Sequence, residues 1–172
     1  SQKMSIAITN RGNNVNVFIM RHGEAEPSAD TDAKRELTPQ GRDDVAQMAV
    51  DYKAALSQVD TIWASSYIRA QQTAQLLSQY LSKPVVTQSF LPPNGNPIDT
   101  LAALETHRDE TILVVSHQPL VGILVDGLAS LEPGRYRMGT GALACLTTKV
   151  YANGCCDLEW LHQPASIQPV HS

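Results

Sequence analysis

Arg21, His22 and Gly23 stand directly behind an apolar run, Val17-Phe18-Ile19-Met20, and their types suit one kind of ligand. A guanidinium fixes an anion through a planar fork of donors, an imidazole serves as base or nucleophile, and a glycine lets a bulky oxyanion approach the backbone. Phosphate is the anion most in need of all three. Residues 15–20 read as a strand buried on both faces, so Arg21 and His22 fall at its carboxyl end, the edge where open parallel α/β sheets form ligand sites. Because such a tripeptide alone is more often a chance loop, the rest of the chain must supply partners.

The elements that would hold those partners follow in order. Residues 24–37 are polar and form a loop long enough to lie across the mouth of a site. Thr38 caps, and Pro39 opens, a helix with Val45, Met48, Ala49, Tyr52 and Leu56 on one face. Residues 60–64 form a second strand. Ser65-Ser66 cap a helix over 67–81, with Arg69 in its first turn, Leu76, Leu77, Tyr80 and Leu81 toward the core and a Gln-rich face in solvent. Residues 84–88 form a third strand, 91–97 a turn-rich loop, and Asn96 caps a short helix. Residues 111–116 form a continuous apolar strand ending in His117. Pro119 then opens a helix through Leu120, Val121, Leu124, Val125 and Leu128, repeating the layout of the first strand. After a loop over 132–140, strands at 142–151 and 155–161 meet at Asn153-Gly154, a strong hairpin turn signal.

At 172 residues the chain suits one domain, assigned to 15–162. Residues 1–14 are expected to be a native extension or a cloning remnant, and 163–172 a loose tail. A formal charge of −4 denies the basic face that nucleic acid requires, so nucleic acid is excluded as a partner. No apolar run approaches the roughly 18 residues of a membrane span, which excludes a membrane. Cys145, Cys155 and Cys156 are odd in number, and the adjacent pair would point to opposite sides of a strand, against a disulfide framework. No Cys or His pair has metal-site spacing, so no metal is expected. A reduced, cytoplasmic protein fits these features.

The strand and helix order implies a three-layer α/β sandwich with a mainly parallel sheet and a C-terminal antiparallel hairpin. Right-handed crossovers then place every parallel strand's carboxyl end on one rim, gathering Arg21, His22, Arg69 and His117 from three βα junctions. Backbone N–H groups at the helix starts near Gln118 and Arg69 could face the same anion. On the residues alone, His22 and His117 are equally eligible as nucleophile.

Four segments carry a resemblance: Phe18-Ile19-Met20-Arg21-His22-Gly23-Glu24, Leu37-Thr38-Pro39-Gln40-Gly41, Ser65-Ser66-Tyr67-Ile68-Arg69-Ala70-Gln71-Gln72-Thr73-Ala74 and Val115-Ser116-His117-Gln118-Pro119-Leu120-Val121-Gly122. In this order they resemble the histidine phosphatase superfamily, and within it the SixA-type phosphohistidine phosphatases. The resemblance spans about residues 15 to 161 and implies a phosphoglycerate mutase-like fold. It makes His22 the nucleophile that becomes phosphohistidyl, with Arg21, Arg69 and a protonated His117 on the phosphate oxygens, Gly23 and Gln118 beside them, and no cofactor or metal. The implied partner is a phosphohistidine-bearing protein, such as a histidine phosphotransfer domain or a phosphocarrier, met by a monomer with an open mouth.

Two departures bear on substrate. Many ester-cleaving members of the superfamily carry an acid in the loop after the third strand, whereas Leu91-Pro92-Pro93-Asn94-Gly95-Asn96 has none. An alkoxide would leave poorly there, but imidazole, with a reference pKa of about 6.5, needs little help. Ser66 stands where a proline is common, with no loss of chemistry expected. Glu24, Glu26, Glu36 and Asp126 are read as solvated or capping, His107 as a helix cap, and Arg135 and Arg137 as a solvated loop; His162 and His171 receive no role. The alternatives are a small-molecule phosphomonoesterase and a phosphohistidine-binding module without turnover.

Overall fold

A computed structural model of the chain describes residues 15–134, 137–148, 151–152 and 154–167. The expected N-terminal extension, Arg135, Asn153 and His171 lie outside the described residues. One six-stranded sheet has the order β3-β2-β4-β1-β5-β6. In it β1 (Val15–Arg21), β2 (Thr61–Ala64), β3 (Val85–Thr87) and β4 (Ile112–Ser116) run parallel, while β5 (Leu143–Thr148) and β6 (Cys156–His162) extend the β1 side antiparallel.

Two helical layers cover the sheet because β1 is apolar on both faces. Phe18 and Met20 enter a core with α1 (Pro39–Asp51), α2 (Lys53–Leu56) and α3 (Ile68–Leu81), through Val45, Leu56 and Leu77. Val17 and Ile19 enter the other, with α4 (Pro97–Thr106) and α5 (Leu120–Leu128), through Leu104, Leu120 and Leu124. The two-residue side-chain period of a strand divides one apolar run between two cores. All five apolar positions expected to anchor α5 are buried.

Caps set the helix starts. Thr38 Oγ1 accepts the Gly41 N–H at 2.9 Å with Pro39 opening α1, and Asn96 Oδ1 accepts the Ile98 N–H at 3.0 Å to start α4. Expected as one helix to Leu56, the first helical run instead breaks at Tyr52 (φ −111°, ψ 21°) into α1 and the single turn α2, while Leu56 still reaches the core. Tyr80 is not a core residue but 40% exposed. Leu77 and Leu81 fill the sheet-facing stripe of α3, and Tyr80, one residue short of Leu81, is rotated off it. His107 ends α4, its Nδ1 2.9 Å from the Ala103 carbonyl, as a cap should.

Strand register builds the rim. Arg21 pairs with Ser116 across β1 and β4, and Ala64 with Val115 across β2 and β4. The next backbone bonds continue both ladders, from His22 N–H to Ser116 C=O at 3.0 Å and from Ser65 N–H to Val115 C=O at 3.2 Å. His22, Ser65 and His117 therefore leave three adjacent strands at one level.

Residues 163–167 are not loose. The Gln163 amide bonds Gly139 and Arg137, and the Ser166 hydroxyl donates to Asp44 Oδ2 at 2.6 Å. Proline content was a poor guide because side-chain amides and hydroxyls, not a ladder, hold this segment.

Candidate active site

Arg21, His22, Arg69 and His117 converge as expected. His22 is 5% exposed, and its Nδ1 lies 2.7 Å from the Gly23 carbonyl oxygen. A carbonyl has no proton to give, so Nδ1 carries the proton and the lone pair is on Nε2. Arg69 Nε donates to that Nε2 at 3.3 Å. The His117 ring stands 5.0 Å from the His22 ring at 59°.

Each of the other three is held from a different element. The Arg21 backbone is stitched to the start of β5 by bonds to Ala142 C=O (3.0 Å) and from Gly141 N–H (3.1 Å), and its Nη1 donates to Met138 C=O at 3.1 Å. Arg69, in the first turn of α3, lies over the Tyr67 ring, its Cζ 5.1 Å from the centroid. His117 is 1% exposed, with Nε2 2.7 Å from Ser65 Oγ and the Tyr67 ring edge-on at 4.9 Å. Among the described residues, Arg21 Nε and His117 Nδ1 are buried and have no hydrogen-bond partner. Polar groups buried unpaired cost free energy, so two in one site mark it as built for something polar.

The electrostatics agree with the geometry. Burial pushes the His22 pKa down to about 3; the bond to the Gly23 carbonyl, next in weight, opposes it, and the charges of Arg21, Arg69 and Arg35 add to the lowering. Burial, followed by His22 and Arg69, pushes His117 to about 3 as well, opposed by Asp32. Among these protein groups both imidazoles are neutral at pH 7, and the protonated His117 expected on the phosphoryl oxygens concerns the site with that negative charge added. Arg21 is lowered by burial and by the neighbouring arginines, yet a guanidinium stays charged at pH 7.

Four further residues escaped the sequence reading as parts of the site. Asp32 reaches over the site from the 24–37 loop, its Oδ2 3.1 Å from Arg69 Nη2 and its backbone oxygen accepting Arg69 Nη1 at 2.7 Å. Arg35 binds Asp32 Oδ1 at 2.8 Å, and these contacts, first with Arg35 and then with Arg69, hold the Asp32 carboxyl below the usual carboxylate range. Thr73 accepts the Gly23 N–H at 3.0 Å and donates to Arg69 C=O at 2.8 Å, tying α3 to the end of β1. Ser65, expected as a cap, instead faces His117 and accepts the Tyr67 N–H at 3.2 Å. The loop's length was the one available signal for Asp32; Thr73 and Ser65 look like ordinary helix and turn residues.

Other expected residues lie in or near the site with altered reasons. A Cβ on Gly23 would meet Gly41 O and Val45 Cγ2 at 2.9 Å, so this glycine is required for the approach of α1. The Gln118 side chain accepts the Gly122 N–H at 3.1 Å and donates to Met138 C=O at 3.4 Å. The loop after β3 does reach the rim, with Leu91 C=O taking the Ser116 hydroxyl at 2.8 Å, and it brings no carboxylate. Glu24 and Glu36 fasten the 24–37 loop through Thr38 (2.8 Å) and Gln72 (2.9 Å), so Gln72 is not simply in solvent, and Asp126 accepts the Gly134 N–H. An apolar groove between α4 and α5, lined by Ile98, Leu101 and Ile123, carries no titratable side chain. Among the described residues no three metal-ligating side chains cluster, and no helix is long and apolar enough to cross a membrane.

Comparison with known proteins places these residues in a lineage. Residues 17–91 match the family model of the histidine phosphatase superfamily (branch 1). The phosphohistidine phosphatase SixA of Escherichia coli (strain K12) is 33% identical over 159 residues, covering 88% of this chain and 96% of the relative. The chain belongs to the histidine phosphatase superfamily. Within the superfamily, a SixA homolog of Haemophilus influenzae is 35% identical over 123 residues, covering 64% of this chain and 75% of the relative. A solved structure of SixA complexed with tungstate superposes with a TM-score of 0.80 at 32% identity, covering 90% of this chain and all of the other. The six-stranded mixed sheet and its terminal antiparallel pair are therefore those of a histidine phosphatase superfamily fold of the SixA type.

Proposed function

We propose that this chain hydrolyses phosphohistidine on proteins, with His22 as the nucleophile. The observation that carries the proposal is the His22 tautomer: Nδ1–H is spent on the Gly23 carbonyl, and the lone pair stands on a neutral Nε2, which holds only the 3.3 Å bond from Arg69 Nε that a phosphoryl group would take over. Nε2 attacks phosphorus in line. The bond between phosphorus and the substrate imidazole, which carries a proton on its other ring nitrogen, breaks; the electron pair stays on the departing nitrogen so that neutral imidazole leaves, and phosphohistidine forms on His22 with its Nδ1–H kept. Water then attacks phosphorus, the bond to Nε2 breaks, and inorganic phosphate leaves with His22 restored.

Arg21, Arg69 and His117 take the phosphoryl oxygens, with Arg21 Nε and His117 Nδ1 as donors that have no other partner among the described residues. The phosphoryl charge raises the His117 pKa, so this imidazole becomes cationic as the charge it must neutralise arrives. The Gln118 backbone N–H, just ahead of α5, is assigned to the same oxygens, whereas the Gly23 N–H and C=O are already engaged by Thr73 and His22 and the glycine only keeps the wall close. Positive charge supplied by side chains does what a metal does in other phosphoryl-transfer sites, so turnover proceeds in the presence of chelator. The relative bound to tungstate fits this assignment, because tungstate is a tetrahedral oxyanion shaped like phosphate.

Asp32 favours imidazole over alkoxide as the leaving group. Held ionised by Arg35 and Arg69, it has no proton to give at pH 7, and imidazole needs none from a strong acid. The partner is then a histidine phosphotransfer domain or phosphocarrier, reached by a monomer, and three cysteines, an odd number, suit a reducing cytoplasm.

Phosphate release from a phosphorylated histidine phosphotransfer protein, measured with chelator and beside a simple phosphomonoester at equal concentration, tests the proposal. Fast release from the protein and little from the ester is expected. The reverse would make the chain a small-molecule phosphomonoesterase, and binding without release would make it a phosphohistidine-binding module.

A further inference from the structure

Arg21 is the phosphate-facing cation with the least support from regular structure. Its guanidinium is anchored by Nη1 to the Met138 carbonyl, and Met138 belongs to no strand or helix. The direction of that carbonyl is the direction of one peptide plane. In a trans peptide the Met138 C=O and the Gly139 N–H lie in the same plane and point opposite ways. Whatever holds the Gly139 N–H therefore aims the Met138 carbonyl.

The holder is Gln163. Its Oε1 accepts the Gly139 N–H at 3.0 Å, and its Nε2 donates to the Arg137 carbonyl, so one side-chain amide grips the backbone on both sides of Met138. The site for it is tight: a Cβ on Gly139 would come within 2.9 Å of Gln163 Oε1 and of Ile167 Cγ2. Gln163 itself is fixed, because it follows His162, the last residue of β6. Beyond it Pro164 packs on Gly141, and Ser166 bonds Asp44 on α1, which also takes the Gln40 amide at 2.9 Å. The segment thus runs from the sheet edge to α1 across the loop that carries Met138.

We propose that Gln163 is a positioning residue for Arg21, fixing the Met138–Gly139 peptide so that its carbonyl holds the guanidinium in place for a phosphoryl group. The proposal rests on the reading of Arg21 as a phosphate-binding group. Without the Gln163 acceptor, the Met138–Gly139 peptide keeps on its carbonyl side only the long 3.4 Å bond from Gln118 Nε2 beside that of Arg21, so it turns more easily and Arg21 loses the aim of its anchor while keeping its charge.

Inorganic phosphate titrated calorimetrically into the full chain tests this, using the unaltered protein, Gln163→Met, Arg21→Ala and the double variant, each with its thermal midpoint. Gln163→Met is expected to weaken phosphate about tenfold, the worth of one lost anchoring hydrogen bond, and to weaken it no further on the Arg21→Ala background. Gln163→Glu keeps the acceptor for Gly139, loses the donor to Arg137 and adds a negative charge, so compared with the unaltered protein at about 0.5 M salt, which screens that charge, it should bind phosphate within about twofold; this variant also carries the test if Gln163→Met does not fold. Penalties that add in the double variant, unchanged affinity in Gln163→Met, or a tenfold loss in Gln163→Glu would each overturn the role of Gln163 and leave Arg21 standing. Unchanged affinity in Arg21→Ala would overturn both readings.

Discussion

His22 is committed by a single short bond, from Nδ1–H to its neighbour's carbonyl, which no other imidazole in the site repeats. His117 shares Ser65 and keeps Nδ1 unpaired, so the two histidines that were indistinguishable by type are distinguished by partner. His22→Ala is accordingly expected to cut phosphate release by about a thousandfold or more while phosphate still binds, since the cations remain; residual turnover within tenfold would rule out the nucleophile role. Asp32 makes a second prediction at this scale. Its carboxylate engages Arg69 and Arg35, both of which attract the same phosphate. Asp32→Asn removes a negative charge beside the anion and leaves the backbone contact to Arg69, so inhibition by inorganic phosphate should tighten several-fold at pH 7. Weaker inhibition would mean that the carboxylate's chief work is to orient Arg69.

Elements explain why the four residues meet and which of their supports could be foreseen. β1, β4 and α5 were legible because a buried parallel strand is a continuous apolar run and a two-sided sheet needs helices of 3.6-residue period; Arg21, His22 and His117 came with them. Asp32, Thr73, Met138 and Gln163 were not, because each acts on the site through a loop or a backbone group whose partner there is 24 or more residues away in sequence, beyond any local pattern. The Gly23 contact shows the same limit: the residue was foreseen in the site, but its cause is α1. Gly23→Ala should therefore cost about 1–3 kcal/mol of stability by crowding Gly41 and Val45, with a loss of turnover as His22 shifts. Urea unfolding and kcat measured on the same preparation check both parts, and a stable, fully active variant would show that the end of β1 yields without harm. Thr38→Ala, by contrast, removes a cap at the start of α1 and should cost about 1 kcal/mol with turnover little changed.

For the whole molecule, the two depressed histidines couple the site to folding. Their pKa values of about 3 lie below the ordinary 6.5, so between those pH values the unfolded chain binds protons that the folded chain refuses. The stability they contribute is fully present above about pH 6.5 and is lost as the pH falls toward 3. The cost arises from burial beside three arginines, the arrangement that also keeps Nε2 of His22 unprotonated, so a catalytic requirement appears as acid sensitivity of the entire domain. Carboxylates such as Asp32, whose pKa is lowered by Arg35 and Arg69, add to the same acid loss, and a single profile cannot apportion it. A difference can. Urea unfolding of the unaltered protein and of His22→Asn, at steps from pH 7 to pH 4, should give stability curves whose slopes near pH 5 differ by about one proton, the unaltered protein being the steeper. Parallel curves would mean that His22 titrates near its ordinary value in the folded protein, and the neutral nucleophile would then have to be made by the substrate rather than by the fold.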